Sequence, residues 1–201
     1  MYSLPKCYSE QEREYIKKRL KEEAGKCLAQ YGVRRTTVDE IVKRVNIPKG
    51  TFYLFYKSKE LLLFDVVLEL HDMIEQELYN AIVSINPDES VQEQLTNVIV
   101  HFYKMAGESP ILKVLTSGEI ELLARKLPAD VLQQHMGHDN TMIERVLSQL
   151  PIKQKINTSA FSAAFRAIFF ATLHKNEIGE EQYEESLNLL VKGLVSQFIQ
   201  N

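Results

Sequence analysis

The sequence predicts an all-α protein, and three observations carry that prediction. Apolar residues recur at three- and four-residue spacing along most of the chain, no stretch sustains the period-two alternation of a half-buried strand, and only 8 Gly and 6 Pro interrupt the 201 residues. With 45% hydrophobic residues the chain can bury a real core, and its length leaves room for a small domain and a larger one. The division is expected at 57/58, giving a helical head over residues 1–57 and a helical body over residues 58–201.

The first helix is expected over about residues 10 to 31, closing at Gly32. Ile16, Leu20, Ala24, Cys27, Leu28 and Tyr31 fall on one of its faces, which makes Cys27 a core filler. Cys7 and Cys27 fit no metal spacing, and a two-cysteine chain of this size does not depend on disulfides. A second helix opens at Thr37, because Thr37-x-x-Glu40 has the form of a capping box in which each side chain accepts the other residue's amide. Val38, Ile41, Val42 and Val45 give it one apolar face, with Lys43 and Arg44 on the other. Asn46 breaks the pattern as a turn residue. Pro48 suits the first position of a third helix, where its missing amide costs nothing and its φ is already helical. That helix is expected to expose Lys49, Gly50, Thr51, Tyr53 and Leu54 while Phe52, with Phe55 or Tyr56, packs back against the second. Gly in a helix interior costs about 1 kcal/mol relative to Ala. Gly50 therefore points to a close approach of the backbone to a partner, expected to be a phosphate.

Two short helices, a tight turn and a basic-aromatic run make a helix-turn-helix, whose second helix places its N-terminal residues against base edges in the major groove. Charge agrees with a polyanionic partner. Residues 1–60 hold 14 Lys+Arg against 8 Asp+Glu, net +6, whereas residues 61–201 hold 10 against 19, net −9, so the overall −3 conceals a basic head on an acidic body.

The segment resembles the DNA-binding signature of the tetracycline-repressor (TetR) family of bacterial transcription regulators. The resemblance covers about residues 10 to 62, through the groups Thr36-Thr37, Lys49-Gly50-Thr51-Phe52-Tyr53 and Lys57-Ser58-Lys59-Glu60. It implies that Lys49, Gly50 and Tyr53 face bases or nearby phosphates and that Thr37, Thr51, Lys57 and Lys59 grip the backbone, with Thr36 and Leu54 in the same interface. Two positions depart from the family pattern. Members often carry Ser where this chain has Pro48, and His or Tyr followed by Phe where it has Phe55-Tyr56. Phe55 cannot hydrogen-bond a phosphate, and Tyr56 is open to a core role.

Beyond the head, Ser58 is expected to cap a long helix to about residue 84, ended by Asn86-Pro87-Asp88. Further helices are expected at about 90–107, 109–117, 119–126, 129–149, 158–175 and 180–199. In the penultimate one Ala160, Ala163, Ala164, Ala167 and Ala171 form a small-residue stripe that permits close helix approach. Leu187, Leu190, Val191, Leu194 and Phe198 form a stripe in the last. Two such helices from each of two chains make a four-helix dimer interface, as the resemblance implies; the alternative is that both stripes are intramolecular core. Dimerisation suits a helix-turn-helix, since twofold symmetry doubles the length of DNA read.

A ligand cavity is expected among Phe102, Tyr103, Met105, Leu115, Leu122, Met142, Phe165 and Phe169, whose aromatic and flexible side chains suit an apolar small molecule. Glu108, Glu119 and Glu121 read as solvated. His135-Met-Gly-His138-Asp139 offers metal-ligand types, but Gly137 weakens the helix that would align them, so no metal and no cofactor is expected. No Gly-rich phosphate loop or Gly-x-Ser-x-Gly elbow points to an enzyme. No stretch reaches the roughly 18 to 20 apolar residues of a membrane span, and the N-terminus lacks a signal core, so a cytoplasmic protein is expected. The resemblance implies a homodimeric repressor on a palindromic double-stranded DNA operator, released by an unidentified small-molecule effector. A ligand-dependent activator of the same fold is the alternative, ahead of a helical enzyme or an adaptor.

Overall fold

Ser9 begins the first helix with a capping box of its own. In the computed structural model, which describes residues 8–111, 118–133, 148, 150, 157–172, 174–179 and 181–199, the Ser9 hydroxyl accepts the Glu12 amide at 3.2 Å and the Glu12 carboxylate accepts the Ser9 amide at 2.8 Å. The described helices are α1 (Glu10–Arg35), α2 (Val38–Val45), α3 (Lys49–Phe52), α4 (Lys59–Val83), α5 (Val91–Glu108), α6 (Ile120–Ala124), α7 (Thr158–Thr172), α8 (Lys175–Ile178) and α9 (Tyr183–Phe198). Chain contacts divide them between two units: Met1–Glu69 with Ser117–Leu127, and Leu70–Thr116 with Pro128–Asn201.

In the first unit α1 loses helical geometry at Gly32, where the sequence placed its end, and makes one further turn to Arg35. Gly32 sits at φ 75, ψ 179, a region that a Cβ disfavours. The break leaves backbone groups without helical partners, and three segments supply them. The Thr36 amide and hydroxyl both donate to the Gly32 carbonyl, at 3.2 and 2.7 Å. The Lys59 ammonium donates to the Val33 and Thr36 carbonyls, each at 2.7 Å, and Glu119 accepts the Arg34 amide at 3.1 Å. Glu119 was expected in solvent; the open amide draws it in, with the Arg34 guanidinium 3.6 Å away.

The α2 cap is half of the expected box. Thr37 accepts the Glu40 amide at 3.2 Å, but the Glu40 carboxylate turns instead to Arg44 at 2.7 Å, a charge-assisted contact along the same helix face. Asn46 closes α2 in the left-handed conformation (φ 60, ψ 49), with its amide on the Lys43 and Val42 carbonyls. α3 is shorter than expected. Pro48 is its extended cap, not its first residue, and after Phe52 the chain continues in tight turns, Leu54 to Thr51 and Phe55 to Phe52. Ser58 caps α4 by accepting the Leu61 amide at 3.2 Å. Leu20, Cys27, Leu28, Val33, Ile41, Phe52, Leu62 and Leu63 are fully buried, so the α1 face reads as the sequence indicated, Cys27 included.

In the second unit Asn86 turns the chain by accepting the Asp88 amide, and Ser90 caps α5. Its core joins Ile82, Leu95, Ile99, Val100, Ile168, Leu187, Val191, Val195 and Ile199. The helix expected over 158–175 stops at Thr172; Gly179, at φ 114, then separates α8 from α9, which begins at Tyr183. Most of the helices expected at 109–117 and 129–149 lies outside the described residues, whose parts at 110–111 and 129–133 are helical. No helix among the described residues is long and apolar enough to cross a membrane.

Gly32→Ala is expected to destabilise the protein by about 1–3 kcal/mol, the cost of forcing a side chain into a positive-φ turn. The check is the urea-unfolding midpoint, and an unmoved midpoint would show that the turn tolerates a Cβ.

Candidate nucleic-acid interface

A helix of four residues is too short to stand alone, so α3 owes its place to tertiary contacts. Phe52, 0% exposed, anchors it, packing edge-on to Tyr53 and tilted against Tyr56. Tyr56 is core with a satisfied hydroxyl that donates to Asp65 at 2.5 Å; burial, then that carboxylate, raises its pKa well above the usual tyrosine range. Around this anchor the chain exposes a contiguous set. Lys49 and Gly50 lead α3, Tyr53 and Leu54 follow at 52% and 56% exposure, and Lys57 closes the run. A Cβ on Gly50 would meet nothing within 4 Å, so no intramolecular packing requires glycine there. Thr37 is exposed beside them; its oxygen caps α2, which leaves its hydroxyl proton to donate elsewhere. Lys49 lies 2.9 Å from Asp39, and that hydrogen-bonded carboxylate raises its pKa. Phe55 carries Arg13 over its ring, 5.3 Å from the centroid.

Residues 22–66 match the family model of bacterial regulatory proteins, tetR family. Over these residues the chain is similar to the tetR family. It is similar to "Uncharacterized HTH-type transcriptional regulator YuxN" of Bacillus subtilis (strain 168), 32% identical over 126 residues that cover 57% of this chain and 41% of that one. It is similar also to "Probable acrEF/envCD operon repressor" of Escherichia coli (strain K12), 25% identical over 59% of this chain and 54% of that one. The chain thus spans about half the length of the curated relatives it matches. Among solved structures, the transcriptional regulator FadR from Bacillus subtilis in complex with stearoyl-CoA superposes with TM-score 0.62 at 18% identity, over 90% of this chain and 98% of that one, which establishes a shared fold.

Three residues of the expected tetR-family interface point elsewhere. Thr51 is buried: α3 turns its hydroxyl inward to within 3.4 Å of the Tyr8 hydroxyl. Thr36 is 1% exposed, its hydroxyl spent on the Gly32 carbonyl. Lys59 uses its ammonium on the Val33 and Thr36 carbonyls, and desolvation by burial lowers its pKa. Thr36 and Lys59 thus make contacts that hold the head together.

The stripes of the second unit also divide. Leu187 and Val191, expected at a dimer interface, lie in the unit's own core at 2% and 0% exposure, with Leu194 packed against it. Leu190 stays outside at 52%, beside Leu189 at 66% and exposed Gly193. On α7, Ala160, Ala163 and Ala167 are exposed and continue into Phe170, while Ala164 and Ala171 are half-buried. The Phe198 side chain lies outside the described residues.

Among the expected ligand residues, Phe102 is buried and Met105, Phe165 and Phe169 half-buried in the second unit. Tyr103 is committed within it, donating to the Phe165 carbonyl at 2.9 Å, and burial raises its pKa above the usual range. Leu122 belongs to the first unit. Leu115, Met142 and the His135–His138 pair lie outside the described residues. His71, Asp72 and Glu75 bring three ligand-type atoms within 4.8 Å on α4. His71 and Glu75 are an ordinary i,i+4 pair at 3.4 Å, which accounts for the cluster without an ion.

Lys59→Met keeps the length of the stem and removes both donors. It is expected to cost about 1–3 kcal/mol through two unsatisfied carbonyls, read as a lower urea midpoint; undiminished stability would return Lys59 to the surface role the sequence gave it.

Proposed function

We propose that this chain is a transcriptional regulator that binds a palindromic double-stranded DNA operator as a homodimer, represses from it, and is released when a small-molecule effector binds the second unit. The observation that carries the reading is the division of labour around α3: Phe52 and Tyr56 are buried and hold the turn in place, while Gly50, Tyr53, Leu54 and Lys57 stand exposed beside them. In a helix-turn-helix those positions meet the major groove, where Tyr53 donates or accepts at a base edge or phosphate, Leu54 offers an apolar contact to a thymine methyl, and Lys57 neutralises a phosphate. Gly50 allows the backbone to approach the duplex where a larger residue would stand it off. The name of the Escherichia coli relative supports repression as the sign of control. The protein acts in the cytoplasm.

One turn of helix reads few bases, and a twofold partner doubles the site. The exposed row Ala160, Ala163, Ala167, Phe170 supports close packing of α7 between two copies, with Leu189, Leu190 and Gly193 of α9 completing the contact. FadR was solved with stearoyl-CoA. Phe102, Met105, Phe165 and Phe169 give this chain the apolar surface for an effector with a substantial apolar part. Such a ligand acts only through different affinity for two states of the dimer; a coupling of about 1–3 kcal/mol weakens operator binding about five- to 150-fold.

Fluorescence anisotropy with duplex from upstream of the protein's own gene, against a scrambled duplex at about 150 mM salt, tests the reading. Tight, sequence-dependent binding is expected, lost in the Lys49→Ala, Tyr53→Ala variant; equal binding by variant and wild type would remove α3 from the interface. In sedimentation equilibrium the wild type is expected as a dimer and Leu190→Glu, which puts a charge into the apolar contact, as a monomer of unchanged helicity. A dimeric Leu190→Glu would show that copies meet elsewhere.

A further inference from the structure

Lys49 is the first residue of α3, and Asp39 sits in the first turn of α2. The left-handed turn at Asn46 brings these two helix starts side by side, so that the Lys49 ammonium lies 2.9 Å from one Asp39 oxygen and 3.0 Å from the other. Both side chains are exposed, at 52% and 71%. The neighbouring acid does not compete, because Glu40 is held by Arg44 at 2.7 Å.

An exposed pair of this kind contributes little to folding. As a DNA contact it is unfavourable, since it places a negative charge within 3 Å of a lysine that faces a polyanion. We propose that Asp39 is a specificity-determining residue of the interface: on non-cognate duplex its carboxylate keeps Lys49 from phosphate, and only a cognate site that offers Lys49 hydrogen-bonding base edges draws it away.

The inference rests on the DNA-binding reading above, and the chemistry separates two kinds of complex. Non-specific binding consists of phosphate neutralisation with release of counterions, and a lysine already neutralised by an internal carboxylate releases none. At a cognate site the head is docked in the groove, where a base such as guanine presents the fixed acceptors O6 and N7 to a lysine. Those two acceptors are neutral but fixed in the groove, and they replace both hydrogen bonds of the carboxylate in a set geometry; a phosphate supplies charge without that fixed geometry. Asp39 therefore withholds one phosphate contact per head from random DNA while leaving the specific contact available.

The experiment measures binding to a scrambled duplex by anisotropy across a salt series, for wild type, Lys49→Gln, Asp39→Asn and the double variant, with circular dichroism confirming that each is folded. The wild type and Lys49→Gln are expected to share one slope of log K against log salt. Asp39→Asn should bind more tightly at low salt with a slope steeper by about 0.9 per head, one phosphate's worth. The double variant should return to the wild-type slope, which assigns the gain to Lys49. Two results would overturn the proposal: a shallower slope for Lys49→Gln alone, which would mean that Lys49 engages phosphate despite Asp39, or an unchanged slope for Asp39→Asn. Wild-type protein that bound no duplex even at low salt would remove the DNA-binding reading itself and this inference with it.

Discussion

The grip of Lys59 on the end of α1 is the contact on which the head depends. Gly32 turns the chain out of helical geometry, and the carbonyls of Val33 and Thr36 lose the partners that a continuing helix would give them. One ammonium takes both. Because Lys59 is also the first residue of α4, these two hydrogen bonds fix where the long helix begins relative to the end of α1, and hence the space in which α2 and α3 must fold. Burial lowers the lysine's pKa, yet only the charged form donates to both acceptors well, and charge-assisted bonds to the backbone offset the loss of hydration. Glu119 completes the set from α6 by taking the Arg34 amide, so each end of the break is held by charge as well as by packing.

Within that frame the turn after α3 is specified by two buried aromatic residues. Phe52 is fully buried and Tyr56 is tied to Asp65, which leaves the intervening residues no route back into the core. Tyr53 and Leu54 are outside because Phe52 is inside. Although α3 ends at Phe52, the following turns keep the Tyr56 amide on the Phe52 carbonyl at 3.0 Å, so that Tyr56 falls on the same side as Phe52. Rigid burial of two residues thus produces exposure of their neighbours with little contribution from helix propensity.

Much of this was legible in the sequence, because apolar spacing over a long helix fixes a face: the buried side of α1, the Ser58 cap and the turn at Asn46 all read correctly. Where the sequence misled, the reason is local. A threonine at a helix end satisfies either its own backbone or a partner, and Thr36 chose the carbonyl that the Gly32 break left open. Lys59 lies in a run that resembles a phosphate grip, but a lysine's reach to carbonyls 23 and 26 residues away is invisible in spacing. Thr51 was misplaced because a four-residue helix has too few residues for periodicity to fix which side faces in. In α9 the stripe through Leu187, Leu190, Val191 and Leu194 was seen, yet a continuous stripe wide enough to be shared does not say which edge the unit's own core will take. The onset of apolar spacing places a helix start only to within a turn, so it does not mark the Ser9–Glu12 box.

The same distinction applies to charge. A net of +6 over residues 1–60 names a basic head, but a cation held by an internal partner brings no counterion release to a DNA complex. Arg19 and Lys26 are engaged by Glu22 and Glu23, Lys21 by Glu69, Arg34 by Glu119, Arg44 by Glu40, Lys49 by Asp39 and Lys59 by carbonyls. Arg13, Lys17, Lys18, Arg35, Lys43 and Lys57 are exposed and form no ion pair among the described residues. Of these, Lys57 adjoins the α3 turn. On the proposed DNA-binding reading, the summed charge of the head acts on a polyanion at long range, whereas at contact the number of phosphates neutralised follows the unpaired cations. Under that reading steering and gripping are carried by different residues, and the role proposed for Asp39 is to keep Lys49 out of the grip on non-cognate sequence.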